Sequence, residues 1–328
     1  GEEFVMAELK TIGILTSGGD APGMNAALRA VVRTAVYNGL KVMGVKKGYN
    51  GLINGDIFEM TARSVSETLQ RGGTILQTAR CSEFRTEEGV KRGAEIAKIF
   101  GIDGLVVIGG DGSFRGARDL SKHGIATIGI PGTIDNDIGC TEYCIGFDTA
   151  LNTAMDAIDK IRDTATSHER SSVIEVMGRN AGYIALNVGI STGAEAVIIP
   201  EKEFNFDEDV LRPIIEGKHR GKNHYLVILA EGVGSAVPMA EEIEKRTGIE
   251  TTATVLGHIQ RGGSPTVQDR VNASAMGFKA VELLIAGKTN RLVVMQNGKV
   301  TDVDIDEGLQ AKKEISPEMV KLCKVLSW

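Results

Sequence analysis

Asp135 and Asp137 stand two positions apart in Pro131-Gly132-Thr133-Ile134-Asp135-Asn136-Asp137, and the Thr133 hydroxyl precedes the first of them. Two close carboxylates suit one to accept a proton and the other to work beside a metal ion. The apolar run Ile125–Ile130 reads as a buried strand, which Pro131 and Gly132 end. In extended backbone, residues two apart face one side. Thr133, Asp135 and Asp137 are therefore expected to point together into a crevice at a strand's carboxyl end. On this stretch alone an Asp-Asn turn is the better account. Two glycine-rich turns elsewhere change the balance.

The first is Ser17-Gly18-Gly19-Asp20-Ala21-Pro22-Gly23-Met24-Asn25, between a strand at Thr11–Thr16 and a helix at Ala26–Tyr37. The second is Gly109-Gly110-Asp111-Gly112-Ser113, between a strand at Gly104–Ile108 and a helix at Phe114–His123. Free N–H groups at such a turn attract an anion, and the helix dipole adds to the attraction. Neither turn is a Walker loop or a GxGxxG fingerprint, and a plain tight turn explains each one singly. Beside a polyphosphate, Asp111 would sit where Mg²⁺ bridges phosphoryl oxygens. Both turns and the Asp135 stretch follow buried strands, whose ends line one crevice in a doubly wound sheet.

The elements that must position these residues alternate along the whole chain. A strand is expected at Leu40–Val45, then a turn-rich loop Gly48-Tyr49-Asn50-Gly51-Leu52, arginines at Arg71, Arg80 and Arg85 in loop, and a helix at Glu87–Phe100. Arginine suits phosphate through its fixed fork of donors, though each of these singly reads as solvated charge. Further on, helix Leu151–Ala165 precedes strand Ser171–Met177, which ends in Gly178-Arg179-Asn180. Helix Ala181–Ile190, strand Ala196–Ile199 and helix Phe206–Arg220 follow, then strand Tyr225–Leu229 ending in Ala230-Glu231-Gly232. Helix Ala240–Thr247 and strand Thr252–Leu256 lead to Gly257-His258-Ile259-Gln260-Arg261-Gly262-Gly263-Ser264, and a long helix covers Val271–Ala286. The strand ends of this second half give a polar, basic mouth suited to a phosphorylated polyol. Ordinary loops with incidental charge account for each one singly.

At 328 residues the chain exceeds the size at which one core stops growing, so two lobes are expected. A net charge of −6 with no basic block argues against nucleic acid. No apolar run reaches the ~18 residues of a membrane helix, and no secretory signal is expected. Gly1–Val5, ahead of Met6, reads as an expression remnant. Four cysteines read as reduced thiols of a cytosolic protein, and five scattered histidines make no metal-binding pattern.

Taken together, Ser17–Asn25, Gly109–Ser113, Pro131–Asp137, Met177–Arg179, Glu231-Gly232 and Gly257–Gly263 resemble the bacterial ATP-dependent 6-phosphofructokinase family, in order and over nearly the whole chain. The resemblance implies an α/β fold of two lobes, each a three-layer αβα sandwich around a mostly parallel sheet. The nucleotide lobe would be 6–146 plus about 260–310, and the sugar-phosphate lobe 147–259 plus about 311–328. The family transfers the γ-phosphoryl of MgATP to the 1-hydroxyl of fructose 6-phosphate, the committed step of glycolysis. By resemblance Asp135 would accept the hydroxyl proton, with Thr133 and Ile134 beside the substrate and Thr133 orienting the hydroxyl. Asp111 would engage Mg²⁺. Gly19, Tyr49, Arg80, Cys81 and the turn Gly110, Asp111, Gly112 and Ser113 would hold ATP. Arg80 and Arg179 would neutralise charge on the phosphoryl in flight.

Met177, Gly178, Arg179, Glu231, His258, Ile259, Gln260 and Arg261 would grip the sugar phosphate. Arg170 would reach its 6-phosphate from a neighbouring subunit of a cytoplasmic homotetramer. Pyrophosphate-using relatives carry an aspartate and a lysine where this chain has Gly112 and Gly132, which favours ATP. Thr252 replaces a second phosphate-binding arginine, so weak fructose 6-phosphate binding is expected unless Arg246 substitutes. The family's effector site for ADP or phosphoenolpyruvate would map to Arg29, Arg33, Arg162, Gly193, Glu195, Arg220, Lys222, Asn223 and His224. Asn223 and Ala62 would weaken its charge. A lipid or NAD kinase shares only the Gly-Gly-Asp-Gly turn, and a non-catalytic sensor would have no use for Asp111, Asp135 and Arg179 together.

Overall fold

A computed structural model describes residues 9–327. The expectation for Gly1–Val5 lies outside them. In chain order the elements are β1 (Thr11–Thr16), α1 (Met24–Tyr37), β2 (Lys41–Val45), α2 (Gly48–Asn54), β3 (Ile57–Met60), α3 (Glu87–Ile99), β4 (Gly104–Gly109), α4 (Asp111–Ser121) and β5 (Ala126–Pro131). After them come α5 (Phe147–His168), β6 (Ser171–Val176), α6 (Tyr183–Thr192), β7 (Ala196–Ile198), α7 (Arg212–His219), β8 (Tyr225–Ala230), α8 (Ala236–Thr247), β9 (Thr251–Val255) and α9 (Val267–Ile285). The chain ends with β10 (Arg291–Gln296), β11 (Lys299–Asp304), α10 (Ile305–Gln310) and α11 (Pro317–Leu326).

The residues fall into two compact units. One runs to Ile134 and adds Ile138–Asp148 and Arg261–Lys313; the other is Asp135–Asp137, Thr149–Gln260 and from Glu314 onward. The first holds a seven-stranded sheet in the order β11-β10-β5-β4-β1-β2-β3. Its inner pairs are parallel, and only the edge strands β3 and β11 run antiparallel to their neighbours. The second holds β7-β8-β6-β9, all parallel. Parallel strands are covered on both faces and so read as continuous apolar runs. The wholly buried TIGILT of β1 and YLVILA of β8 do so. In the first unit Leu15, Leu105, Val107, Phe114 and Leu120 share one core, and in the second Val173, Val227, Leu229, Ile214 and Ile243 share another. Each such side chain contributes about 1.5–3 kcal/mol when fully buried.

Gly48–Asn54 is a helix rather than a turn-rich loop. The left-handed residues sit at its ends, Lys47 (φ 57) and Gly48 (φ 59) at the start and Gly55 (φ 72) after it, and Leu52 and Ile53 are buried by it. The expected helix at Phe206–Arg220 opens as a π-helical turn, Asp207–Leu211, before α7. Among the described residues no helix is long and apolar enough to cross a membrane.

Candidate active site

In the first unit β5, β4 and β1 are neighbours, so the loops at their carboxyl ends are neighbours too. They are stitched together: the Ser17 N–H donates to the Ile108 carbonyl at 2.9 Å, and the Gly132 N–H to the Gly109 carbonyl at 2.9 Å. A Cβ on Gly109 would lie 2.6 Å from the Ser17 carbonyl oxygen, so only glycine lets the turns approach this closely. Gly110 is the N-cap of α4 and offers no side-chain cap, leaving amides of the first turn open to a ligand. A Cβ on Gly110 or Gly112 would meet nothing within 4 Å, so there is open space over this helix start. Asp111 is exposed in the first turn and Ser113 is buried.

Among the described residues no three acidic, histidine or cysteine groups gather to hold a metal. One carboxylate beside an uncapped, open helix start nevertheless fits Mg²⁺, which usually keeps several waters and takes one or two carboxylates plus substrate phosphates.

Tyr49 lies in this unit with a structural task. Its ring stacks on Phe84 at 4.0 Å, and its hydroxyl donates to the Ser113 carbonyl. Burial, then the charge of Asp119, hold its phenol well above the ordinary range, so it stays a donor. Arg80 is exposed, and Cys81 packs against the core cluster. Arg261 is brought to Gly19. A Cβ there would meet its Nη2 at 1.5 Å, and its Nε lies 3.8 Å from the Asp20 carboxylate. Arg261, expected among the sugar-phosphate residues, lies in the same unit as the first glycine turn.

The second unit is built the same way. At the carboxyl ends of β8, β6 and β9, the Glu231 Oε1 accepts from the Gly178 N–H at 3.1 Å and the Arg179 N–H at 2.6 Å. The fully buried Gln260 accepts from the Met177 N–H at 3.0 Å. Both side chains hold the Met177–Arg179 loop. Arg179 takes φ 56, a strained left-handed conformation, and its Nε lies 3.9 Å from the Asp135 Oδ2. Asp135 is buried and Asp137 exposed. Asn136 between them has φ 52, so the segment is not extended and the two carboxylates do not share a side by strand alternation. The Tyr183 phenol is pushed up to about 12 by burial, then by Glu201 and Asp137. His258 and Ile259 occupy a 3-10 turn, Gly257–Arg261, with Ile259 exposed.

Arg170 and Thr252 stand apart from this cluster, at the amino ends of β6 and β9. Thr252 is in register with Ser172, five strand steps or about 17 Å from Met177, and Arg170 lies seven steps or about 23 Å from it. Arg170 pairs with Glu250 at 2.8 Å. The Thr252 hydroxyl lies 3.0 Å from the Ser172 hydroxyl. Arg246, expected as a possible substitute for an arginine at position 252, is paired with Asp207 at 2.6 Å and lies over Phe206.

Of the effector positions, Arg29 and Arg33 lie on α1 in the first unit. In the second unit Lys222 pairs with the buried Glu195 at 3.0 Å, whose other oxygen accepts from the Leu226 N–H. Gly193 caps α6 with φ 63, and Arg162 has its Nε and one Nη buried without a hydrogen bond. Arg220, Asn223 and His224 lie between α7 and β8.

Sequence reasoning gave no role to Asn25. Buried in the first turn of α1, it accepts from the Ile75 N–H at 2.9 Å and donates to the Arg71 carbonyl at 3.1 Å, holding the 71–75 loop. An asparagine inside a helix is a signal for such bonding.

The chain is similar to known proteins. The family model described as phosphofructokinase matches residues 11–284. An ATP-dependent 6-phosphofructokinase of Clostridium botulinum is 63% identical over 319 residues, covering 97% of this chain and 100% of the relative. One of Clostridium novyi is 61% identical over 320 residues, with 98% and 100% coverage. Among solved structures, the Pichia pastoris phosphofructokinase in the T-state superposes with a TM-score of 0.88 at 33% identity, covering 100% of this chain and 40% of that one. The present chain thus spans about two-fifths of the yeast protein's length and the full length of its clostridial relatives.

Proposed function

The chain belongs to the phosphofructokinase family, and from that premise we propose that it is an ATP-dependent 6-phosphofructokinase, phosphorylating the 1-hydroxyl of fructose 6-phosphate. The observation that carries the reading is the Asp135–Arg179 pair, seated by Glu231 at the carboxyl ends of the second unit's strands. Phosphoryl transfer depends chiefly on positioning and charge stabilisation. Asp135 accepts the proton of the attacking hydroxyl, which Thr133 orients. Arg179 and Arg80 offset charge on the transferred group. The open amides of Gly110–Ser113 and the turn at Gly19 receive the nucleotide phosphates, with Tyr49 bracing α4 from behind. Asp111 would hold a Mg²⁺, which would supply further charge neutralisation when bound. Met177, Gly178, Glu231, His258 and Gln260 shape the sugar-phosphate side.

ATP is favoured over pyrophosphate because the space beside Gly112 is open, leaving room for a nucleotide. The position of Arg170 and Thr252 at the far end of the sheet suits service to a neighbouring copy in a cytoplasmic homotetramer. ADP and phosphoenolpyruvate act at the Glu195–Lys222 region. Coupled turnover of fructose 6-phosphate with MgATP and with pyrophosphate tests the reading; turnover only with pyrophosphate, or with neither, overturns it.

Thr252 bears on affinity. A charge-assisted hydrogen bond is worth about 1.5–3 kcal/mol. Thr252→Arg is therefore expected to lower half-saturation for fructose 6-phosphate by roughly tenfold to a hundredfold. Thr252 is exposed on an edge strand, so the longer side chain has room. An unchanged half-saturation would show that the site does not lack this charge.

A further inference from the structure

The geometry points to Asp269 as a positioning residue for the Ala21-Pro22-Gly23 end of the first glycine turn. This rests on the assignment of that turn to the nucleotide phosphates. Asp269 lies in the first turn of α9 and is fully buried. A buried carboxylate is costly unless its oxygens are paired, and a helix start favours it. Its Oδ1 accepts the Gly146 N–H at 2.8 Å and the Tyr143 hydroxyl. Burial, and after it the charge of Asp269, hold the Tyr143 phenol far above its ordinary range, so the donor is permanent. Thr266, the N-cap of α9, receives the Asp269 N–H and donates to the Asp148 carboxylate at 2.6 Å.

What these bonds hold is the Ile145-Gly146 backbone, and that backbone is the wedge behind the glycine turn. Gly146 takes φ 103; a Cβ there would lie 2.7 Å from the Ala21 Cβ and 3.2 Å from the Pro22 Cδ. From the opposite side, Gly23 takes φ 106, and a Cβ on it would lie 2.7 Å from the Ile145 Cγ2. Gly23 is the N-cap of α1, so a shift of the wedge moves the start of that helix and the amides before it. The frame behind Asp269 is rigid: α9 meets α1 so closely at Gly277 that a Cβ would lie 2.6 Å from the Ala27 carbonyl oxygen. Asp269 therefore converts close α1–α9 packing into a fixed height for the Ala21–Gly23 turn, without touching a ligand.

Asp269→Ala strands the Gly146 N–H and the Tyr143 hydroxyl. It is expected to raise half-saturation for MgATP at least tenfold while that for fructose 6-phosphate moves less than threefold. Asp269→Asn keeps the acceptor oxygen and is expected to restore most of the loss. If Asp269→Ala does not fold, Tyr143→Phe removes one of the two bonds, with an expected three- to tenfold rise in the same parameter. Equal losses for both substrates, or folded variants with unchanged MgATP half-saturation, overturn the assignment. Calorimetric titration of the unaltered enzyme with MgATP separates the two levels. If it binds nucleotide and the variants behave like it, only the role of Asp269 falls. If it binds none, the nucleotide assignment of the turn falls first.

Discussion

Asp135→Asn is expected to reduce turnover of fructose 6-phosphate with MgATP by about 10²–10⁴, the range of a positioned general base. The side chain is buried at the start of the second unit's short Asp135–Asp137 segment, and the Arg179 guanidinium lies 3.9 Å away. Asparagine keeps the size and one acceptor oxygen but cannot take the proton. Binding of both substrates, measured by calorimetry, is expected to stay within about threefold, because positioning groups on the backbone of residues 177–179 are untouched. A drop in kcat below tenfold would show that the hydroxyl is deprotonated elsewhere.

Arg179→Ala carries the next largest effect. Glu231 holds the Gly178 and Arg179 amides, and a Cβ on Gly232 would lie 2.5 Å from the Arg179 carbonyl oxygen, so the loop keeps its place without the side chain. Only the guanidinium is lost. Its 3.9 Å pairing with Asp135 leaves the guanidinium itself exposed and is worth little to stability, about 0–1 kcal/mol. Charge stabilisation in a transition state is worth far more, and kcat is expected to fall about 10²–10³ with a nearly unchanged Tm. Arg179→Lys keeps the charge but not the fork, and recovers part of the rate. Equal losses in the lysine and alanine variants would sink the charge account.

How much of this was legible in the residues differs from element to element. The runs that became β1, β4 and β8 were plain because strands covered on both faces are apolar throughout. The two glycine turns were plain because strand, glycine and helix start follow one another. Gly48–Asn54 was misread: its glycines and asparagines suggest a loop, whereas burial of Leu52 and Ile53 against α3 winds it into a helix. The stretch at Asp135 misled in detail, since Asn136 takes a left-handed conformation that alternation cannot anticipate. Asn297-Gly298 is a hairpin signal and joins β10 to β11, yet that hairpin went unread. Roles that depend on contacts distant in sequence were out of reach. Nothing near Gln260 in the chain shows that it would serve the Met177 amide, and nothing near Arg261 shows that it would lie over Gly19.

The passage of the chain between its two units bears on how it is made. The backbone crosses after Ile134, Asp137, Asp148, Gln260 and Lys313, and β10 is the partner that completes the flank of β5. On the ribosome, the earlier strands therefore wait with β5 unpaired on one side while more than a hundred residues of the other unit are synthesised. That unit's own sheet draws on Ser171–Val255 alone and can close first. The sheet of the later-synthesised unit can thus close before that of the earlier one, and the amino-terminal strands carry an apolar edge that a chaperone would have reason to shield.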